Sequence, residues 1–289
     1  MKVLLTGSGG RVGQAIVSRL QADATTVTTL DCNPSTQPTW MGDVGDRALL
    51  QRAMHGVDAV VHTAALHAPH VGKISDTEFE RINIDATKTL IDAAVNAGVQ
   101  RIIYTSTTAL YGYANAEEGR AAWLTEQSIP RPKTIYHRTK LIAERLLAEA
   151  AAKHGIAVRT LRMSRCFPEP AAQMVAYRLH RGVDARDVAH AHALTLTHAG
   201  ALCETFIISG STPFLIEDAA ELYRDAASVL KRRAPALVAA FTQRGWELPT
   251  SIDRVYDASK ALRALGWQTH FGFEEVLRQA DEGSREILC

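Results

Sequence analysis

The chain has 289 residues, 46% apolar and 22% charged, and its 32 Lys/Arg against 31 Asp/Glu leave a net charge of +1. With a sequence pI near 7.8, that balance gives no electrostatic case for nucleic acid or an anionic membrane as partner, and no run approaches the roughly 18–20 apolar residues of a membrane span. The four cysteines, Cys32, Cys166, Cys203 and Cys289, lack CxxC spacing, which points to a reduced compartment rather than zinc.

Val3-Leu4-Leu5 reads as a buried first strand, and nothing between Met1 and that strand resembles a cleaved leader, so the cytosol is the expected location. The strand runs into Thr6-Gly7-Ser8-Gly9-Gly10-Arg11-Val12-Gly13, and Gln14 to Leu20 has the pattern of the helix it feeds. A strand, a G-x-x-G-x-x-G turn and a helix form a dinucleotide site, since glycines let the backbone approach a pyrophosphate that the helix N-terminus then holds. Val27 to Asp31 is the second strand, and Asp31 stands eighteen positions after Gly13, where a carboxylate binds the adenosine ribose. Cys32 and Asn33 follow it, with no neighbouring arginine for a 2′-phosphate, so NAD is favoured over NADP. Arg11 inside the loop is the group that keeps NADP in play.

Asp58 to His62 and Arg101 to Tyr104 are further short strands, separated by a helical pattern from Phe79 to Ala97. This alternation means a parallel sheet covered on both faces. Tyr113 to Thr134 reads as a long surface loop. Tyr136 to Lys153 is a strong helix stopped at Gly155, Ala157 to Leu161 a strand, and Phe206 to Ser209 a later one. Beyond Pro213 the signal becomes helical: Ile216–Leu230, Pro235–Arg244, Ser259–Leu265 and Phe273–Asp281. The expected organisation is a Rossmann-type doubly wound α/β domain over residues 1–162, with 183–210 returning to it. A smaller, mostly helical substrate lobe takes 163–182 and 211–289.

Tyr136 and Lys140 lie one turn apart on one helix face, so the ammonium can stabilise a phenolate and make the phenol usable as a general acid/base. His62, His67 and His70 cluster at the carboxyl edge of the sheet. No thiolate or carboxylate accompanies them at ligand spacing, so no metal is expected, and His67 and His70 read as substrate contacts. His190 and His192 read as surface or packing residues.

These motifs resemble the extended short-chain dehydrogenase/reductases, the NAD-dependent epimerase/dehydratase group. The resemblance extends to Gly42-Asp43-Val44, His62-Thr63-Ala64-Ala65, Asn83-Ile84-Asp85-Ala86-Thr87, Tyr104 to Gly112, Leu161-Arg162, Val183 to Ala189, Asp257 to Ala261, and Leu265-Gly266-Trp267. It implies an acid/base role for Tyr136, a role for Lys140 in lowering the phenol pKa and holding the nicotinamide ribose, and substrate orientation by Thr107, with Ser106 as the alternative. Gly7, Gly9, Gly10, Arg11, Val12, Gly13, Asp31, Asp43, Val44, Thr63, Ala64, Ala65 and Asn83 would line the cofactor. Thr107, Thr108, Arg165, His67 and His70 would meet the substrate.

Departures narrow the substrate. The stretch from Met163 to Gly182 is shorter than in sugar-nucleotide members, Arg165 replaces their usual asparagine, and Cys166-Phe167-Pro168-Glu169-Pro170 is similar to uronate dehydrogenases. The expected activity is reversible hydride transfer on a small sugar-like or acidic hydroxy or carbonyl substrate. The alternatives are an NDP-sugar 4-epimerase with retained NAD, or a non-catalytic dinucleotide sensor. A dehydratase would want an acidic pair after Thr107, and Thr108-Ala109 offers none. A homodimer is expected through Phe79–Ala97 and Tyr136–Lys153, with Ala143, Ala148 and Ala151 permitting close approach.

Overall fold

The computed structural model describes residues 1–114 and 117–288. Cys289 lies outside the described residues, as do Asn115 and Ala116 of the 113–134 loop. The strands are β1 (Lys2–Thr6), β2 (Thr26–Asp31), β3 (Trp40–Met41), β4 (Ala59–His62), β5 (Arg101–Thr107), β6 (Ala122–Leu124), β7 (Ala157–Met163), β8 (Cys203–Ile208) and β9 (Arg254–Tyr256). Seven of them form one sheet in the order β3-β2-β1-β4-β5-β7-β8, every pair parallel. The order reverses at β1, between β2 and β4, which opens a crevice beyond the carboxyl ends of the strands.

Helices α1 (Arg11–Ala22), α2 (Arg47–Ala53), α3 (Asp76–Glu80), α4 (Ala86–Asn96), α5 (Ile135–His154), α6 (Ala171–Tyr177) and α7 (Ala185–Thr197) make the crossovers and the start of the lobe. The pleat explains the two-sided cover. Leu4, Val60, Ile102 and Val158 point to the face packed by Leu50, Leu90 and Leu147. Their neighbours Val3, Leu5, Val61, Ile103 and Leu161 point to the other face, against Ile16, Leu20 and Val188. Strands buried on both faces need continuous apolar runs, which is what made them visible in the sequence.

The rest of the chain adds α8 (Ala219–Arg224), α9 (Ala226–Arg233), α10 (Pro235–Arg244), α11 (Ser259–Leu265) and α12 (Phe273–Asp281). Leu222, Val229, Leu237, Phe241 and Val276 cluster with Met174 and Val175 of α6. The expected helix Ile216–Leu230 is broken at Asp225, whose side-chain carboxylate caps α9 by accepting from Ser228 N. Ser259–Trp267, expected in the lobe, instead returns to the sheet: Ala261 and Trp267 join its core and the Trp267 indole donates to the Asp187 carbonyl at 2.9 Å. The surface loop also differs from expectation, because Ala122–Leu124 pairs in parallel with Arg254–Tyr256. A three-residue strand at each side is too short to carry a periodic signal.

Ala143 and Ala151 are buried in the sheet core of the same chain. Of the alanines expected to face a second copy, only Ala148 is exposed. No helix among the described residues is long and apolar enough to cross a membrane.

Candidate active site

A cleft of about 1010 Å³ runs along the carboxyl edge of the sheet, from Asp31 and Asp43 past the glycine loop and Tyr136 to Arg181 and Arg254. Its first wall is the turn after β1. Gly7 has φ +74°, and a Cβ there would stand 2.5 Å from Ala64 N, so only glycine fits. Gly10 caps α1 without any side-chain acceptor, which leaves the first-turn N–H groups of Arg11, Val12 and Gly13 for a ligand in the cleft. Asp31 accepts from Gly9 N at 2.7 Å and Asn33 N at 2.8 Å, so Gly9 sets the carboxylate rather than lining the cleft. An uncapped helix N-terminus, a glycine cradle and a fixed acid at the end of β2 fit a dinucleotide.

Asp43 and Val44 lie at the same end. The Arg81 guanidinium donates to Asp43 at 2.9 Å, and although burial opposes it, this pairing holds the Asp43 carboxyl below the usual range. Thr63, Ala64 and Ala65 line the cleft, and the Thr63 hydroxyl ties this wall to the glycine loop by donating to the Thr6 carbonyl at 2.6 Å. Asn83 is a correction. It is 2% exposed, and its carboxamide is spent on Leu66 N and O and on Thr139. It braces the wall from behind, at a π-helical turn over Arg81–Asp85. Arg11 turns to an ion pair with Glu286 and lies alongside the Cys166 thiol, so the group that kept NADP in play points toward the lobe.

The chemistry-bearing side chains converge at the middle of the cleft. Thr134 caps α5 by accepting from His137 N, and this puts Tyr136 and Lys140 in the first two turns, facing the end of β5. Burial pushes the Tyr136 phenol up to about 12, and the neighbouring Thr107 hydroxyl pulls the other way. Ser106 is committed elsewhere, donating to Glu144 at 2.5 Å. Lys140 does not bond to the phenol. It donates to the Thr105 carbonyl at 2.6 Å and lies 4.0 Å over the Tyr104 ring. Burial brings it down to about 7, with Glu144 opposing that fall. Thr108 lines the same wall, its carbonyl held by the Tyr256 hydroxyl.

His67 and His70 both line the cleft, with His70 Nδ1 accepting from His67 N at 3.0 Å and the His67 ring stacked on Phe167. His62 is separate from them. It is buried between the Thr6 and Thr87 hydroxyls, and burial, with Lys140 nearby, lowers it to about 3. His192 is also fully buried rather than at the surface, accepting from Thr105 and donating to the Val188 carbonyl. No group of three or more potential metal ligands occurs among the described residues.

Arg165 reaches the cleft but is ion-paired with Glu169. Cations that sequence reasoning missed line the same cleft. Arg181 and Arg254 share one carboxylate, Asp253, at 3.1 and 2.8 Å, and Lys133 lies on the Tyr113 ring at 3.6 Å. Arg181 Nε is buried without a hydrogen-bond partner among the described residues. No spacing in the sequence announces this group, because β6–β9 pairing and the β7–α7 connection bring it together.

Residues 3–208 match the NAD dependent epimerase/dehydratase family. The chain is 30% identical over 165 residues to a UDP-glucose 4-epimerase of Azospirillum brasilense, covering 54% of this chain and 46% of that protein. It is 32% identical over 182 residues to an NAD-dependent glucose-6-phosphate dehydrogenase of Haloferax volcanii, covering 56% and 67%. The matched region thus spans less than half of the epimerase. In fold it is similar to a short-chain dehydrogenase/reductase superfamily protein of Agrobacterium tumefaciens solved with bound NAD (TM-score 0.73, 22% identity, 98% of this chain and 96% of that one). It is also similar in fold to the UDP-glucose 4-epimerase of Thermotoga maritima (TM-score 0.71, 18% identity, 98% and 99%). With the family match running over the glycine turn, the Asp31 carboxylate at the end of β2, and Thr107, Tyr136 and Lys140 gathered in the cleft, the chain belongs to the NAD-dependent epimerase/dehydratase family of extended short-chain dehydrogenase/reductases.

Proposed function

We propose that the chain is an NAD-dependent oxidoreductase that moves hydride reversibly at a carbinol or carbonyl carbon of a small, anionic, sugar-like or hydroxy-acid substrate. The observation that carries this reading is the convergence of Thr107 and Tyr136 in mid-cleft, with Lys140 one turn further along α5. The dinucleotide, held by Gly7 to Gly13 and Asp31, supplies the hydride acceptor or donor. Thr107 donates to the substrate oxygen and fixes the carbon beside it. Tyr136 takes the hydroxyl proton during oxidation and returns it during reduction. A phenol raised to about 12 is a poor base by itself, so the Lys140 charge has to act when the site is filled.

Charge argues for an anion. Arg181 and Arg254 have one carboxylate between them, Lys133 adds a further cation, and a guanidinium with a spare buried donor suits carboxylate or phosphate. The test is a panel of sugar acids, sugar phosphates and hydroxy acids with NAD, followed by NADH absorbance. Absence of turnover across the panel overturns the reading. A second reading, an NDP-sugar 4-epimerase, is favoured by the reach of the same cleft to Arg181 and Arg254, which could receive a diphosphate. Dinucleotide that stays bound through purification would select it.

A further inference from the structure

Behind Thr107 and Tyr136 lies a buried network that the proposed chemistry leaves unused. Glu144 follows Lys140 by one turn and Tyr136 by two, so it lies on the same stripe of α5. Its side chain is 8% exposed and pairs with Arg162 of β7, itself 9% exposed, from Nη2 to Oε2 at 2.7 Å and from Nε to Oε1 at 3.1 Å. The same Oε1 accepts the Ser106 hydroxyl at 2.5 Å. Arg162 also donates from Nη1 to the Tyr111 hydroxyl at 2.9 Å, and that hydroxyl donates to the Thr125 carbonyl. Ser106 immediately precedes Thr107, and Tyr111 closes the 3₁₀ turn that follows it. Thr107 is therefore bracketed on both sides by residues tied to one ion pair.

We propose that Glu144 is a positioning residue of this site: with Arg162 it clamps α5 to β5 and β7, so that Thr107, Tyr136 and Lys140 keep one register. This rests on the reading that those three side chains do the chemistry. A buried ion pair is weak evidence for stability, since apolar side chains of similar volume would hold a helix to a sheet as well. What the pair adds is direction, because each of its hydrogen bonds works over a narrow range of angles and distances. Glu144 also supplies a negative charge to Lys140. The other titratable groups around that ammonium are Tyr104 of β5, His62 of β4, His67 of the following loop and Tyr136 of α5, and none of these is a carboxylate.

Two variants test the proposal. Ser106→Ala leaves the ion pair in place and cuts its link to Thr107; Glu144→Gln removes the charge and keeps the side-chain length. The readouts are melting temperature, NADH affinity by fluorescence, kcat, and the Lys140 titration midpoint from NMR of lysine labelled with ¹³C at Cε, assigned with Lys140→Met. Expected are a fall in kcat of about tenfold or more for Ser106→Ala with NADH affinity held, and a Lys140 midpoint about one unit lower in Glu144→Gln. A merely structural pair would lower the melting temperature and leave kcat and the midpoint alone. Either wild-type kcat in folded Ser106→Ala or an unmoved midpoint in folded Glu144→Gln overturns the proposal. Should Glu144→Gln not fold, Ser106→Ala decides. The titration needs no substrate, so a silent substrate panel overturns the proposed reaction while the midpoint still reads Glu144.

Discussion

Replacing Gly13 by alanine should damage both stability and dinucleotide binding, while the same change at Gly10 should spare stability. A Cβ at position 13 would lie 2.1 Å from the Gly7 carbonyl oxygen and 2.9 Å from Ser8 Cα, whereas one at position 10 would meet nothing nearer than that oxygen at 3.5 Å. An unstrained contact is about 3.5 Å, so at Gly13 the backbone of α1 or of the loop must move by more than an ångström, and no flexible side chain stands there to yield. Overpacking costs about 1–3 kcal/mol. At about 2–4 °C per kcal/mol for a chain of this size class, Gly13→Ala should melt about 5 °C below the parent. The displaced loop can no longer present its first-turn N–H groups, so NADH affinity measured by fluorescence titration should fall about tenfold or more. Gly10→Ala should melt with the parent, and any affinity it loses reports direct contact with the ligand. If Gly13→Ala melts with the parent and binds NADH equally well, the packing of α1 against the glycine turn is wrong.

Tyr136→Phe should lower kcat by about 10²- to 10⁴-fold with NADH binding retained; a variant that keeps half its rate would remove Tyr136 from the mechanism. Asp31→Ser should narrow the NAD/NADP preference by relieving repulsion of a 2′-phosphate, and a parent protein that already prefers NADP in an affinity titration would reassign Asp31. His62 and His180 are lowered to about 3, and His192 to about 4, in each case first by burial. The unfolded chain therefore binds more protons below pH 6.5, so the native state loses stability as pH falls from there toward 4. Three such protons give a limiting slope of about 4 kcal/mol per pH unit, readable as a steep acid fall of the melting temperature; a flat profile between pH 6.5 and 4.5 would contradict buried neutral histidines. Light scattering after size exclusion should return twice the 31.5 kDa of the chain, and a monomer at micromolar concentration would end the dimer proposal.

What the sequence revealed, it revealed through short-range physics. The buried strands announced themselves as apolar runs, the glycine turn by its contacts with residues a few positions away, and the Tyr136–Lys140 pair by helical spacing. Glu144 was legible by the same rule, four residues beyond Lys140, and its signal was there to be followed. Asn83 was misplaced because a family position says which loop a side chain serves, but not whether it faces the cleft or braces it from behind. Arg181 could not have been placed beside Asp253 and Arg254 by spacing, since tertiary pairing alone brings it to them across 72 residues. The alanines of α5 illustrate a different gap: a small side chain permits close approach, but helical phase alone does not distinguish the sheet from a partner. Ala143 and Ala151 went to the sheet.

The parallel pairing of β6 with β9 sets an order of assembly. The Tyr256 hydroxyl reaches the Thr108 carbonyl across 148 residues of sequence, and Arg254 reaches the Gly112 carbonyl across 142. Contacts that close such long loops form late, after local helices and neighbouring strands. On a ribosome, the glycine-turn end of the cleft can therefore be built while the turn after Thr107 still lacks its support, and the end lined by Arg181 and Arg254 is finished only when the chain has passed Tyr256. Binding of the dinucleotide should consequently appear earlier than turnover during refolding, with the interval between them timing the arrival of β9.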